Sequence, residues 1–249
     1  MLTFITSHCK VLHEYVRTYL KNSAETFLKA VSPRELVSWL SSSAAVCYDL
    51  SNPSDAHLFA TSSCELTVFL HDFKEDEMLR ATIYSILGNV YSDLRQYSDA
   101  KECCVRALKI RKKIYGVHHI GVAASYNNLG NVHTDLREYT KAKGYYEKAL
   151  VIRKEKYGEH HGDVAASYNN LGIVYRNLGQ YSKAKIYCEK ALIITKQIYG
   201  EKHGLVAANL NNLGNGYRNL NDQYNQAKEY YEKALIITKK IYGENHPVQ

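Results

Sequence analysis

A chain of 249 residues with 45% hydrophobic and 23% charged residues has the make-up of an ordinary globular protein. Its net charge is +7 and it holds only 3 prolines, too few to interrupt long helices. No run of about 18 apolar residues exists, which argues against a membrane-spanning helix. His8, Cys9 and Lys10 break the apolar start before it reaches signal-peptide length, and a cytoplasmic location is expected.

The first 76 residues differ in kind from the rest. They carry six Lys/Arg against nine Asp/Glu, so the remainder carries a surplus of ten positive charges. A boundary is therefore expected near Glu77. Within 1–76, residues 3–21 suggest a helix, and Ser32-Pro33-Arg34-Glu35 has the N-cap, N1 and N3 residues of a helix start. Asn52-Pro53 opens a further helix carrying Phe59, Leu66, Phe69, Leu70 and Phe73. The segment is an irregular helical lead-in: a cap, a decayed repeat or the tail of an upstream domain.

From there on the chain repeats itself. Leu-Gly occurs at Leu87-Gly88, Leu129-Gly130, Leu171-Gly172 and Leu213-Gly214, at a spacing of 42 residues. Ala107-Leu108, Ala149-Leu150, Ala191-Leu192 and Ala234-Leu235 follow, then Tyr115-Gly116, Tyr157-Gly158, Tyr199-Gly200 and Tyr242-Gly243. The last step of these two series is one residue longer, which places an insertion in Asn219–Tyr224, where a turn tolerates it. Each unit predicts two helices. Val122, Tyr126, Leu129 and His133 make the apolar stripe of the first. A turn over Glu138-Tyr139-Thr140, with Thr140 as N-cap, leads to a second helix with the stripe Ala142, Tyr146, Ala149. Gly158 is its expected C-cap. A glycine inside a helix costs about 1 kcal/mol relative to alanine. Its recurrence at one position therefore predicts close approach of the two helices across Gly130, Ala142 and Ala149. The 22 tyrosines are expected to fill the wider gaps between units.

Read as Tyr126-x-x-Leu129-Gly130-x-x-His133, then Ala142-x-x-x-Tyr146, then Ala149, the unit resembles the tetratricopeptide repeat. The other copies carry Tyr84, Leu87, Gly88, Tyr91, Ala100, Cys104 and Ala107; Tyr168, Leu171, Gly172, Tyr175, Ala184, Cys188 and Ala191; and Leu210, Leu213, Gly214, Tyr217, Ala227, Tyr231 and Ala234. The 42-residue period, with Asn-Asn-Leu and Tyr-Gly-x-x-His, is similar to the subtype in kinesin light chains and nephrocystin-type proteins. The resemblance implies an all-α solenoid of antiparallel helix pairs over residues 77–249, in units of about 81–121, 122–163, 164–205 and 206–248. One helix pair cannot bury its apolar face alone, so the units must stack. The chain stops at Pro247-Val248-Gln249, where other copies open a new helix. That suggests a fragment, a short isoform or an end covered by a partner, with self-association through this uncapped last repeat as one form of it.

In the resembled fold the first helices line a concave groove that takes peptides. The groove-facing positions are Asn89, Asn127, Asn131, Asn169, Arg176, Asn211, Asn215 and Arg218, with Asn128, Asn170 and Asn212 one residue on and suited to bonds between units. An amide both donates and accepts, so it can hold the backbone of an extended peptide; the arginines would fit a carboxylate. A protein or peptide ligand of acidic character is therefore expected. His118-His119, His160-His161, His203 and His246 recur between units without a cysteine or carboxylate cluster, and no metal is expected. The six cysteines form no C-x-x-C pair and suggest buried thiols. Basic residues gather on the second helices, at Lys109, Arg111, Lys112, Lys113, Lys148, Arg153, Lys154 and Lys156, interleaved with Glu147 and Glu155. This fits a solvated, ion-paired face better than a nucleic-acid or membrane surface. No phosphate loop, nucleophile elbow, zinc-protease or dinucleotide motif occurs, so neither catalysis nor a cofactor is expected.

Overall fold

The computed structural model describes residues 77–218 and 224–243. The expected helices before Glu77, the loop residues 219–223 that hold most of the insertion, and the chain end from Glu244 lie outside the described residues. Eight helices follow one another: α1 (Glu77–Asp93), α2 (Tyr97–Tyr115), α3 (Ile120–Asp135), α4 (Tyr139–Tyr157), α5 (Gly162–Asn177), α6 (Tyr181–Tyr199), α7 (Gly204–Arg218) and α8 (Tyr224–Tyr242). There is no strand among the described residues. Each odd helix packs on the next even one, and α4 packs on α5 and α6 on α7, so the last three hairpins stack as the period required. The contacts divide the chain between Val117 and His118. The hairpin α1/α2 falls in one unit and the other three hairpins in the second.

The stripes read from the sequence are the core. Val122, Tyr126, Leu129 and His133 on α3 are buried, as are Ala142, Tyr146, Ala149 and Ile152 on α4. Between hairpins, Ala142 and Tyr146 share a cluster with Leu171, Val174 and Tyr175 of α5. Cys188 and Leu192 of α6 do the same with Val206, Leu210, Leu213 and Tyr217 of α7.

The recurrent glycine makes room for a side chain more than for a backbone. A methyl group at Gly130 would lie 2.5 Å from Cε1 of Tyr146, and one at Gly214 would lie 2.7 Å from Cε1 of Tyr231. In the other two hairpins a thiol takes this seat: Cys104 Sγ at 2.6 Å from such a methyl at Gly88, and Cys188 Sγ at 2.5 Å at Gly172. Beside the thiols the partner backbone also comes close, with Ala184 O at 3.3 Å from the Gly172 position. The tyrosines likewise work within a hairpin as well as between them: Tyr175 stacks on Tyr187 at 5.1 Å, and Tyr217 on Tyr230 at 5.1 Å.

The turn inside each of the first three hairpins is a Schellman closure. Gly179 (φ 72°) donates to Arg176 O, and Gln180 N donates 2.9 Å to Tyr175 O. Arg137 (φ 59°) and Arg95 (φ 60°) take the left-handed position in the two preceding hairpins. This corrects the expected turn: it is Leu136-Arg137-Glu138, α4 starts at Tyr139, and Thr140 lies inside the helix and does not cap it. The cap position belongs to Glu138, whose carboxylate is drawn to His133 Nδ1 (2.5 Å) and Lys141 Nζ (2.9 Å) and caps nothing. Between hairpins, Gly158 is the C-cap at φ 76° and donates to Lys154 O, as expected.

Candidate functional site

The candidate face is built by helix spacing on α3, α5 and α7. Asn127 and Asn131 lie one turn apart on α3, Asn169 and Arg176 two turns apart on α5, and Asn211, Asn215 and Arg218 within two turns on α7. Asn89 sits half-buried on α1, in the other unit. Asn131 and Arg218 are exposed, and Asn127, Asn169, Arg176, Asn211 and Asn215 half-buried.

Neighbouring hairpins are joined through these amides. Asn170 Nδ2 donates to Asn127 Oδ1 at 3.1 Å, and Asn212 Nδ2 donates to Asn169 Oδ1 at 2.8 Å. The two amide rows seen in the sequence thus bond to each other, one residue out of step. Within a hairpin, Tyr146 OH donates to Asn131 Oδ1 at 2.7 Å, and Tyr231 OH donates to Asn215 Oδ1 at 2.9 Å. The side chain that sits on the glycine therefore also fixes an amide. Where cysteine replaces tyrosine in α6, position 173 is isoleucine and offers nothing to fix.

Arg153 departs from the expectation of a solvated basic face. It continues the Ala142–Tyr146–Ala149 stripe by four residues and is 8% exposed, as is Arg111. Arg153 Nη1 donates to Ser167 Oγ (2.7 Å), Asp163 O (3.2 Å) and Asn127 Oδ1 (3.4 Å), while its Nε is buried without a hydrogen bond. Burial pushes the guanidinium below its ordinary value, with Asp163 and Tyr157 opposing. A guanidinium only donates, so it compels Asn127 to turn its oxygen inward. At the next junction Thr195 replaces the arginine and accepts from Asn209 Nδ2 at 2.6 Å. The stripe spacing was the available signal for Arg153; its charge concealed it.

Three of the recurring histidines are caps, while His118 and His160 pair with Glu155 and Gln197 and His246 lies outside the described residues. His119, His161 and His203 each turn Nδ1 to the backbone N–H two residues on, at 3.1, 3.1 and 3.2 Å. Tyr157 stacks on His161 at 4.0 Å and Tyr199 on His203 at 4.6 Å. The Tyr-Gly-x-x-His motif is thereby a joint: the glycine ends one helix, the histidine starts the next, and the tyrosine holds the two. No cluster of three metal-ligating side chains occurs among the described residues. None of the described helices is long and apolar enough to cross a membrane.

A tetratricopeptide repeat family model matches residues 79–155, 121–187 and 163–235, together more than half of the chain. The protein belongs to the tetratricopeptide repeat family. No curated protein matches it. Among solved structures, BtubC (BKLC) from P. vanneervenii is similar at 23% identity and TM-score 0.66, over 88% of this chain and 95% of that one. A kinesin-light-chain-type protein of Podosopora anserina, built of nearly identical repeats, is similar at 19% identity and TM-score 0.68, over 85% and 99%. A Rap protein complexed with competence and sporulation factor is similar at 19% identity and TM-score 0.71; this chain, with 88% of its length matched, spans 58% of that one. At these identities the likeness is one of fold. A tetratricopeptide array of this kind is in general a protein-interaction scaffold, a fold typically without enzymatic activity.

Proposed function

We propose that the tetratricopeptide array is a non-catalytic cytoplasmic adaptor that holds an extended, acidic peptide along α3, α5 and α7. The observation behind this reading is the sense of the amides. Asn127, Asn131 and Asn169 have their oxygens engaged by Asn170 and Arg153, by Tyr146 and by Asn212. Their N–H groups are then the donors offered to a ligand, and a peptide backbone supplies carbonyls at matching intervals. Arg176 and Arg218 add forked donors for carboxylates. The complex of the similarly folded Rap protein with competence and sporulation factor supports the idea that such an array takes a partner.

The test is a peptide-array screen of the wild type against Asn127→Ala, Asn169→Ala and Asn211→Ala combined, with helicity checked by circular dichroism. Each neutral bond contributes about 0.5–1.5 kcal/mol net, so a loss of about tenfold or more is expected. Asn127 and Asn169 also join hairpins, so a second variant, Arg176→Glu with Arg218→Glu, removes acidic ligands without touching that junction. Ligands indifferent to both variants would refute the groove.

A further inference from the structure

Beneath the row of amides the two junctions of the second unit differ in charge. Under Asn127 lies Arg153, and every acceptor it bonds to is neutral: Ser167 Oγ at 2.7 Å, the backbone carbonyl of Asp163 at 3.2 Å and Asn127 Oδ1 at 3.4 Å. The Asp163 carboxylate attracts the guanidinium without a hydrogen bond, and the buried Nε has no acceptor at all. One junction on, neutral Thr195 holds the equivalent place and accepts from Asn209. Asn169 there has Asn212 as its donor and no cation below it. A buried charge without a bonded counter-ion is costly, and its field is weakly screened. Asn127, half-buried on α3, carries that field toward the groove. Its oxygen is bonded to the cation and to Asn170, so the Nδ2 protons at the other end of the amide become the stronger donors.

We propose that Arg153 is the charge-selecting residue of the groove: it makes the rung of Asn127 and Asn170, and not the rung of Asn169 and Asn212, the seat for a carboxylate of the bound peptide. The inference rests on the groove reading and deepens it by giving the ligand a register. The ligand's acidic group lies over the α3/α5 junction, and its neutral backbone over the α5/α7 junction. Arg153 acts through Asn127, so it is a positioning residue that sets both the sense of that amide and the charge behind it.

The probe is an array of decapeptides in which one aspartate, or asparagine as its neutral isostere, is stepped through the sequence, each with a free or an amidated C-terminus. The full-length protein should prefer the carboxylate form at one position by about fivefold or more. Arg153→Thr with Ser167→Asn transplants the polar pair of the next junction, which this fold already accommodates. In that variant the carboxylate preference should vanish while neutral peptides bind as before. Arg153→Met, which keeps the aliphatic stem, carries the same expectation if the double variant loses helicity. A preference for free over amidated ends would seat the chain-terminal carboxylate, and a preference for aspartate within the chain would seat a side chain; both should disappear with Arg153. A merely structural arginine would weaken acidic and neutral peptides alike, and that result would overturn the inference. So would a carboxylate preference that survives both variants, or none in the wild type; the groove would still stand if binding depends on Asn127, Asn169 and Asn211. Ligands indifferent to those amides would refute the groove and this inference together.

Discussion

The position facing the recurrent glycine alternates between cysteine and tyrosine, and the two residues solve one packing problem differently. Tyr146 fills the seat with a ring and carries its hydroxyl out to Asn131. Cys188 fills it with a sulfur atom at the 2% exposure of a core residue and reaches nothing beyond. Burial pushes the Cys188 thiol from its ordinary 9.0 to about 12, with Arg176 opposing and Glu189 adding. Cys104 moves in the same way, with Cys103 adding and Arg111 opposing. Both are therefore inert thiols at neutral pH. Peptide mapping after iodoacetamide treatment at pH 8 should find Cys104 and Cys188 unmodified in the native protein and modified in denaturant. The sign of the pH effect follows. A thiol whose folded value is raised keeps its full contribution below the unfolded value and loses it as pH climbs toward the folded one. Stability should thus fall between about pH 9 and 12, measured by urea unfolding.

The helices owe their ends to residues that sequence reading assigns only in part. Gly158 is legible as a C-cap because its left-handed backbone suits no other residue as well. Thr140 misleads, because the hairpin turn closes through Leu136-Arg137-Glu138 and leaves no cap for it. The turn geometry is identical in kind where Gly179 occupies the left-handed site and where Arg137 does. A non-glycine residue there costs of order 1–2 kcal/mol, partly offset by glycine's greater freedom when unfolded. Arg137→Gly should therefore stabilise the protein by about 0.5–1 kcal/mol in chemical denaturation. No gain would show that the Arg137 side chain has a compensating contact. The histidine caps are legible as a spacing but not as a function, since only the fold turns each Nδ1 toward the backbone N–H two residues ahead.

Across the hairpins of the second unit, the stack depends on junctions that each mix apolar and polar parts. Leu171 sits at 0% exposure in the cluster joining α4, α5 and α6. Leu171→Ala should cost about 2–5 kcal/mol in urea unfolding. A change below about half a kilocalorie would mean that this stripe does not hold the junction. Arg153 at one junction and the Thr195–Asn209 pair at the next show that the polar part is negotiable while the apolar part repeats. In a solenoid each unit contacts only its neighbours, so a change in one polar pair need not alter the others.

Periodicity alone determined that the second part of the chain is a stack of helix pairs, because burial at regular spacing leaves no other way to hide stripes on helices too thin to stand singly. It also marked the amide positions, since residues four apart must share a face. Only the tertiary structure decided which atoms those amides use, that Arg153 lies inside, and that the glycine seats a ring or a thiol. Each of these depends on what the adjacent helix brings within a few ångströms, and a repeat written in one dimension does not specify that distance.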